Sequence, residues 1–242
     1  MTIGNGVTSI GGSVFGYCSE LTSIVVENGN PIFDSRDGCN AIIETSSNTL
    51  FLGCKGTIIP NSVTSIGEDA FRFCSGLTSV TIPNSVTSIK MDAFEYCSEL
   101  TSVTIGNGVT YIGNDAFYGC SGLTSVTIGN SVTSITFQAF YGCNGLTSVT
   151  SLNTTPPQLS YLAFSNYNAT LYVPIGCRAI YWVADYWKKF KNIVEIDASN
   201  IQNTLTEKVD STKDKYYNLQ GQRVFNPKNG VYIKNGKKVF IK

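Results

Sequence analysis

The chain has 242 residues, with 17 Lys or Arg against 17 Asp or Glu, so its formal net charge is zero. This balance does not favour nucleic acid as a partner. Histidine is absent, which removes the commonest general base and the commonest metal ligand, and with them any Ser-His-Asp or Cys-His catalytic arrangement. We therefore predict that the protein is not an enzyme and holds no cofactor or metal.

The N-terminus has neither the basic nor the apolar region of a secretory signal, because Met1 is followed by Thr-Ile-Gly-Asn-Gly-Val. Ile3 to Ile10 instead aligns with Ile105 to Ile112, so we expect the chain to begin in mid-repeat and to be truncated at its N-terminus. The sequence contains no run of 18 apolar residues, so it predicts no transmembrane segment.

Residues 2–24 carry one copy of the repeat, and an irregular insert near 25–58 interrupts the period. Two strand-like runs in the insert, 41–45 and 49–52, flank Ser46-Ser-Asn48, which predicts a hairpin.

The repeat is regular from Leu77 to Cys143, where both the cysteines and the leucines recur every 23 residues: Cys74, Cys97, Cys120 and Cys143, and Leu77, Leu100, Leu123 and Leu146. A fixed period of this length predicts a solenoid. Within a repeat, Leu77, Val80 and Ile82 should form an inward-facing strand, and the Asp before Ala-Phe is suited to cap a short helical turn. We therefore predict an α/β solenoid of short strands and short helical turns over residues 1–150.

The cysteines at the shared repeat position, which include Cys18, are predicted to be a buried column of free thiols. Disulfides between successive rungs are the alternative, which distance allows but which requires the inward side chains to turn toward each other.

Residues 151–197 read as a degenerate last repeat followed by a C-terminal cap, with strands at 170–174 and 192–196 and a helix over 176–191. Trp187 is predicted to pack in the core of this cap. Residues 198–242 are predicted to be a polar linker and a small β-rich tail of four short strands.

The repeat Leu77-Thr-Ser-Val-Thr-Ile82-Pro-Asn-Ser-Val86-Thr-Ser-Ile89, with Ala93-Phe94 and Cys97, resembles the BspA-like leucine-rich repeat proteins of bacterial surfaces. The resemblance covers about residues 2–196 and implies a leucine-rich repeat solenoid at the cell surface or outside the cell. It also implies adhesion to host proteins, other cells or glycans, without catalysis. The tail, with Tyr217-Asn-Leu-Gln-Gly221 and Gly230-Val-Tyr-Ile233, is similar to the C-terminal sorting domains of the bacterial type IX secretion system. A small β module with a basic face is the alternative for the tail.

Stacked repeats should place equivalent outward residues in columns, and these columns are the candidate binding site. The candidates are Thr78, Thr101, Thr124 and Thr147, then Thr81, Thr104, Thr127 and Thr150, and the aromatic pair Tyr118 and Tyr141. Threonine also simply suits an exposed strand, and the tyrosines could equally pack between rungs.

The predicted function is therefore surface recognition by a monomer that binds host extracellular proteins or glycans, or other bacterial surfaces. A scaffolding repeat fragment is the first alternative. The second is a threonine array that binds ice, although the curvature expected of leucine-rich repeats disfavours the flat face that ice requires.

Overall fold

The computed structural model describes residues 1–11, 14, 18 and 20–197, together with four strands between residues 216 and 241. The chain divides into two units, Met1–Ser199 and Asn200–Lys242. The larger unit is a solenoid, because residues 23 apart in sequence pair as parallel strands, so that Ser79 lies beside Ser102 and Ser102 beside Ser125. Among the described residues, no helix is long and apolar enough to cross a membrane.

Near the N-terminus, β1 (Thr2–Ile3) of the first repeat pairs in parallel with β2 (Val25–Val26) at the start of the insert. One side of the solenoid is an eight-stranded sheet formed by β3 (Phe33–Asp34), β4 (Ile42–Glu44), β5 (Thr49–Leu52), β6 (Ser65–Ile66), β8 (Ser88–Ile89), β10 (Tyr111–Ile112), β12 (Ser134–Ile135) and β14 (Gln158–Leu159).

The insert supplies the first three strands of this sheet. Strand β4 pairs antiparallel with both β3 and β5, so β4 and β5 form a hairpin, and β5 then pairs in parallel with β6. The insert therefore takes the place of a rung in the stack and does not project from it as a loop.

The second side is a parallel six-stranded sheet formed by β7 (Ser79–Ile82), β9 (Ser102–Ile105), β11 (Ser125–Ile128), β13 (Ser148–Ser151), β15 (Thr170–Pro174) and β16 (Asn192–Ile196). Valine and isoleucine of each Ser-Val-Thr-Ile run are buried, while serine and threonine are exposed or half-buried. Alternation with a period of two residues is what a strand with one buried face requires.

The third side of each rung consists of turns, so the predicted short helical turns are not confirmed. Asp69, Asp92 and Asp115, expected to cap such turns, have left-handed backbone with φ of 57°, 56° and 55°. The turn residues instead bond from rung to rung, since the Phe94 amide donates to the Ala116 carbonyl at 2.7 Å. The fold is accordingly a β-solenoid with very little helix, and the α/β description is corrected in this respect.

Each regular rung buries the same apolar set, and in one rung its members are Val86, Ile89, Ala93, Phe94, Cys97, Leu100, Val103 and Ile105. Burial of a large apolar side chain stabilises by about 1.5–3 kcal/mol, but only where a neighbouring rung covers it. The phenylalanines stack face to face along the axis, with ring centroids 4.7–5.0 Å apart from Phe71 through Phe94, Phe117 and Phe140 to Phe164.

The cysteine column is confirmed for Cys74, Cys97, Cys120 and Cys143, which are buried free thiols, whereas Cys18 is free but exposed. The Cys97 thiol donates to the Phe71 carbonyl of the preceding rung at 3.1 Å. Burial is the main cause that raises the pKa of Cys97, so this thiol stays protonated near neutral pH.

The cap contains a shorter helix than predicted, α1 (Arg178–Val183), followed by a 3-10 turn at Trp187–Lys189. The helix ends because Ala184 is extended, with ψ of 138°, and Tyr186, with φ of 62°, directly precedes the 3-10 turn. Trp187 is fully buried and its indole N–H donates to the Pro157 carbonyl at 2.7 Å, as its predicted core position requires.

The second unit is a four-stranded antiparallel sheet with the order β18-β17-β19-β20. Its strands are β17 (Tyr216–Tyr217), β18 (Arg223–Val224), β19 (Gly230–Lys234) and β20 (Lys237–Ile241). The predicted linker, 198–214, lies outside the described residues.

Candidate functional site

The first predicted threonine column is exposed, but its hydroxyls already serve the fold. Thr101 donates its hydroxyl to the Thr78 carbonyl and Thr124 to the Thr101 carbonyl, both at 2.9 Å, and Thr147 donates to the Thr124 carbonyl at 3.1 Å. A hydroxyl that donates within the protein can offer a ligand only its acceptor lone pairs. The hydroxyls of this column therefore mainly join neighbouring rungs, and only their acceptor lone pairs remain open to a ligand.

A matching ladder that the sequence analysis did not single out lies beside the eight-stranded sheet. Thr87, Thr110 and Thr133 each donate a hydroxyl to the threonine carbonyl one rung earlier, at 3.0–3.1 Å. The signal was present in the sequence, because a Val-Thr pair followed two residues later by Ile recurs every 23 residues from Val63 to Ile135, as regularly as Leu-Thr-Ser-Val.

The second predicted column has hydroxyls that remain available. Thr81, Thr104, Thr127 and Thr150 are half-buried and lie side by side on β7, β9, β11 and β13. Within the part of the chain that the structure describes, no hydrogen bond is made by these four hydroxyls. Each can therefore both donate and accept.

A serine column two residues earlier lies on the same face, and the sequence analysis did not count it: Ser79, Ser102, Ser125 and Ser148. Their hydroxyls likewise have no partner within the described ranges. We call these eight serine and threonine positions the hydroxyl face. The register carries this face on to Thr170 and Tyr172 of β15, where a half-buried tyrosine replaces threonine.

The two predicted tyrosine anchors pack mainly against each other. Tyr118 and Tyr141 are half-buried, and their rings stack at a centroid distance of 5.8 Å and an angle of 14°. Tyr96 meets Tyr118 edge-on at 5.4 Å and is itself 42% exposed. A stacked pair offers a ligand ring edges and hydroxyls more than open ring faces.

The residues in the same repeat position as these tyrosines, Arg72 and Glu95, form an ion pair. Arg72 also contacts Asp69 at 3.2 Å and Asp92 at 3.8 Å. Burial raises the pKa of Asp92, Glu95 and Asp115, and Arg72 opposes that rise. One guanidinium is thus shared by three carboxylates, Asp69, Asp92 and Glu95.

A shallow cleft of about 490 Å³ lies beside α1, lined by Gly176, Arg178, Ala179, Trp182, Val183 and Glu195. Trp182 is 53% exposed there. Elsewhere, within the described residues, no group of three or more Cys, Asp or Glu side chains is arranged to hold a metal ion.

The sequence matches the BspA type leucine rich repeat region in six copies, over residues 1–36 and 44–170. The chain belongs to this family. The members of this BspA-type family are leucine-rich repeat proteins, which are generally non-enzymatic.

Three solved structures illustrate the likeness. A leucine rich cell surface protein from Faecalibacterium prausnitzii is 29% identical, with a TM-score of 0.44, over 62% of this chain and 47% of its own. The pneumococcal vaccine antigen PcpA is 18% identical, with a TM-score of 0.53, over 81% and 55%. A leucine-rich repeat protein from Eubacterium ventriosum is 21% identical, with a TM-score of 0.47, over 80% and 56%.

The chain thus spans about half the length of these structures. The likeness to PcpA supports the fold, a solenoid of stacked parallel strands. No curated protein matches the chain.

Proposed function

We propose that this chain is a non-catalytic recognition module of a bacterial surface protein, and that its hydroxyl face binds host extracellular proteins or glycans. The observation that carries the proposal is a set of hydroxyls that are aligned across four parallel strands and have no partner among the described residues. Both glycans and extended peptides are recognised through donors and acceptors of this kind. Other bacterial surfaces are a further class of partner for the same face, and we propose that the chain acts as a monomer.

Membership of a family with cell-surface relatives supports an extracellular or surface location. An extracellular or surface location is therefore also part of the proposal.

Binding of the purified chain to immobilised matrix proteins and glycans tests this function. The informative variant removes three hydroxyls from the hydroxyl face while keeping β-branched side chains: Thr81→Val, Thr104→Val and Thr127→Val. The matched control changes three outward positions of the other sheet: Tyr111→Val, Ser134→Val and Gln158→Val.

We expect the first variant to lose binding and the control to keep it. Equal binding by both variants would show that the hydroxyl face is not the site. A chain lacking residues 200–242 should bind as well as the full chain, and binding lost with that deletion would move recognition to the second unit. If no ligand on the panel binds, the scaffolding alternative replaces recognition.

One observation favours a second candidate, the binding of ice. The rungs are hydrogen-bonded to each other on the turn side as well as in both sheets, so the wide helical side that would curve the stack is missing. A hydroxyl array with even spacing is therefore compatible with a flat face. Thermal hysteresis of a concentrated solution measures this activity directly. If an ice crystal in that solution grows as soon as the temperature falls below the equilibrium melting point, ice binding is excluded.

We further propose that the second unit is a sorting domain for type IX secretion, supported by its compact antiparallel sheet. Residues 200–242 fused to a periplasmic reporter should carry it to the surface of a bacterium that has this system. A reporter retained in the periplasm would leave the alternative, a small β module without a sorting role.

A further inference from the structure

Three thiols from different parts of the sequence meet at one small cavity near the N-terminal end of the solenoid. Cys18 comes from the first repeat, Cys54 from the end of the insert and Cys74 from the first regular rung. Cys54 is not in the 23-residue series, so the spacing of the cysteines does not predict its presence here.

Cys54 begins the same type of tight turn that follows Cys18 and Cys74. In each case the amide three residues later donates to the cysteine carbonyl, at 3.0 Å for Cys18 and Cys54 and at 3.1 Å for Cys74. Cys54 is also 23 residues before Leu77, so it stands at the leucine position of its rung, beside the cysteine column, and lines the same cavity as Cys18 and Cys74.

The rungs that carry Cys18 and Cys54 are direct neighbours. Lys55 forms an ion pair with Glu20 at 2.8 Å, and a Cβ placed on Gly56 would lie 2.2 Å from the Thr22 carbonyl oxygen. Neighbouring strands lie about 4.8 Å apart, within the Cα separation of about 4.4–6.8 Å that a disulfide spans. Two rungs exceed that limit, which favours Cys54 over Cys74 as the partner of Cys18.

Exposure distinguishes Cys18 from the other thiols. Cys18 is exposed and so accessible to an oxidant, whereas Cys54 and the thiols from Cys74 onward are buried. Burial also raises the pKa of Cys74 to about 11, which leaves almost no thiolate near neutral pH.

We propose that Cys18 and Cys54 form a disulfide once the protein reaches an oxidising compartment. The Cys18 thiolate attacks a disulfide oxidant, for example oxidised glutathione, and displaces one glutathione thiolate to give a mixed disulfide. The Cys54 thiolate then attacks the Cys18 sulfur and displaces the second glutathione. The two protein thiols lose two protons and two electrons, and the oxidant is reduced to two glutathione molecules.

The bond would fasten the first repeat to the array. That repeat packs around a small separate core that includes Ile3, Ile24, Val26 and Cys54. A cross-link between residues 18 and 54 restricts the unfolded segment between them and so opposes local unfolding of the first repeat. The proposal does not depend on which face binds a ligand.

Peptide mapping of the full chain after treatment with oxidised glutathione tests the bond. Free thiols are blocked with N-ethylmaleimide before digestion with trypsin and chymotrypsin, and cleavage after Phe51 or Leu52 separates Cys54 from Cys39. We expect a peptide containing Cys18 linked to one containing Cys54, and loss of most N-ethylmaleimide labelling at Cys18. Linkage of Cys18 to Cys39 or Cys74, a dimer joined through Cys18, or undiminished labelling of Cys18 would overturn the proposal.

Two serine variants complete the test. Cys54→Ser should restore labelling of Cys18, whereas Cys39→Ser, a matched change of a buried thiol in the same tryptic peptide, should leave the cross-link intact. Because a buried substitution can impair folding, Cys18→Ser at the exposed position is the second variant, and it should abolish every intramolecular link to Cys54. A cross-link at Cys54 that persists in Cys18→Ser would refute the pairing.

Discussion

The stacked phenylalanines should contribute a large share of the free energy of unfolding of the solenoid. The variant Phe117→Ala measures this contribution at one position. Phe117 is fully buried between Phe94 and Phe140, with centroids 4.9 and 5.0 Å away and ring planes within 3°. Truncation of a buried phenylalanine costs about 3–5 kcal/mol, to which each lost aromatic pair contributes about 0.5–1.5 kcal/mol. Since a domain is stable by only about 5–15 kcal/mol, this one change should remove about a fifth or more of the total.

The position of Phe117 in the middle of the stack adds a second expectation. A rung contacts only its neighbours, so a weakened central rung uncouples the two halves of the array. Urea unfolding followed by circular dichroism should therefore show a lower midpoint and a broader or two-step transition.

Phe137→Ala is the matched control, because Phe137 lies in the same region of the array but is 42% exposed. Its cost should stay within about 0.5 kcal/mol, as for other surface changes. A cost for Phe117→Ala no larger than that of the control would refute the reasoning that the stacked column stabilises the fold.

Three further predictions concern hydrogen bonds, backbone and pH. Thr124→Val, which removes a hydroxyl bonded to the preceding rung, should cost about 1 kcal/mol in thermal unfolding, and Thr127→Val close to nothing. Gly119→Ala should lower the free energy of unfolding by more than about 1–2 kcal/mol, because φ at Gly119 is +68° and the new Cβ would lie 2.6 Å from a tyrosine ring. Gly6→Ala is the control, because a Cβ at that position lies in open space. Burial raises the pKa of Asp92 in the folded state, so the charged carboxylate is less favourable there than in the unfolded chain. As pH falls through this raised pKa, protonation of Asp92 should stabilise the folded state and raise Tm. Asp92→Asn, which cannot titrate, should lack this increase in Tm.

Each of these predictions has an outcome that contradicts it. Equal melting temperatures for the two threonine variants would mean that the rung-to-rung hydroxyl bond contributes nothing. If Gly119→Ala and Gly6→Ala behave alike, the left-handed backbone at position 119 is not needed. If the difference in Tm between the wild-type chain and Asp92→Asn is the same at every pH, the buried carboxyl does not titrate as described.

The sequence was sufficient to predict the solenoid and its inward columns. Residues such as Phe94 and Phe117 occupy the same place in identical repeats, so the environment of one predicts that of the other. The buried cysteines followed from the same reasoning, as did the core position of Trp187.

The turn side could not be predicted, because an Asp before Ala-Phe suits two conformations. Aspartate can cap a helix, and it also tolerates the left-handed backbone found at Asp92 better than most residues do. The choice depends on the neighbouring rung, whose carbonyl accepts the backbone bond, and no local pattern contains that information.

The candidate site was predictable in position and not in chemistry. Thr101 and Thr104 look alike in the sequence, yet the first donates its hydroxyl to a backbone carbonyl one rung earlier and the second has no partner within the described residues. Tyr118 and Tyr141 are equally ambiguous, because their exposure depends on whether they stack on each other.

The contacts between rungs have a consequence for how the length of this protein can change. Every regular rung bonds to the next through the same residue types at the same positions, so Leu100 can be followed by Thr124 as well as by Thr101. Loss or gain of a whole unit, such as residues 101–123, would create no new kind of contact, whereas loss of a single residue would turn buried side chains outward. The hydroxyl face can therefore be shortened or extended in steps of about 4.8 Å by deletion or duplication within the gene, which would let the proposed binding surface change in length without any change in its residue types.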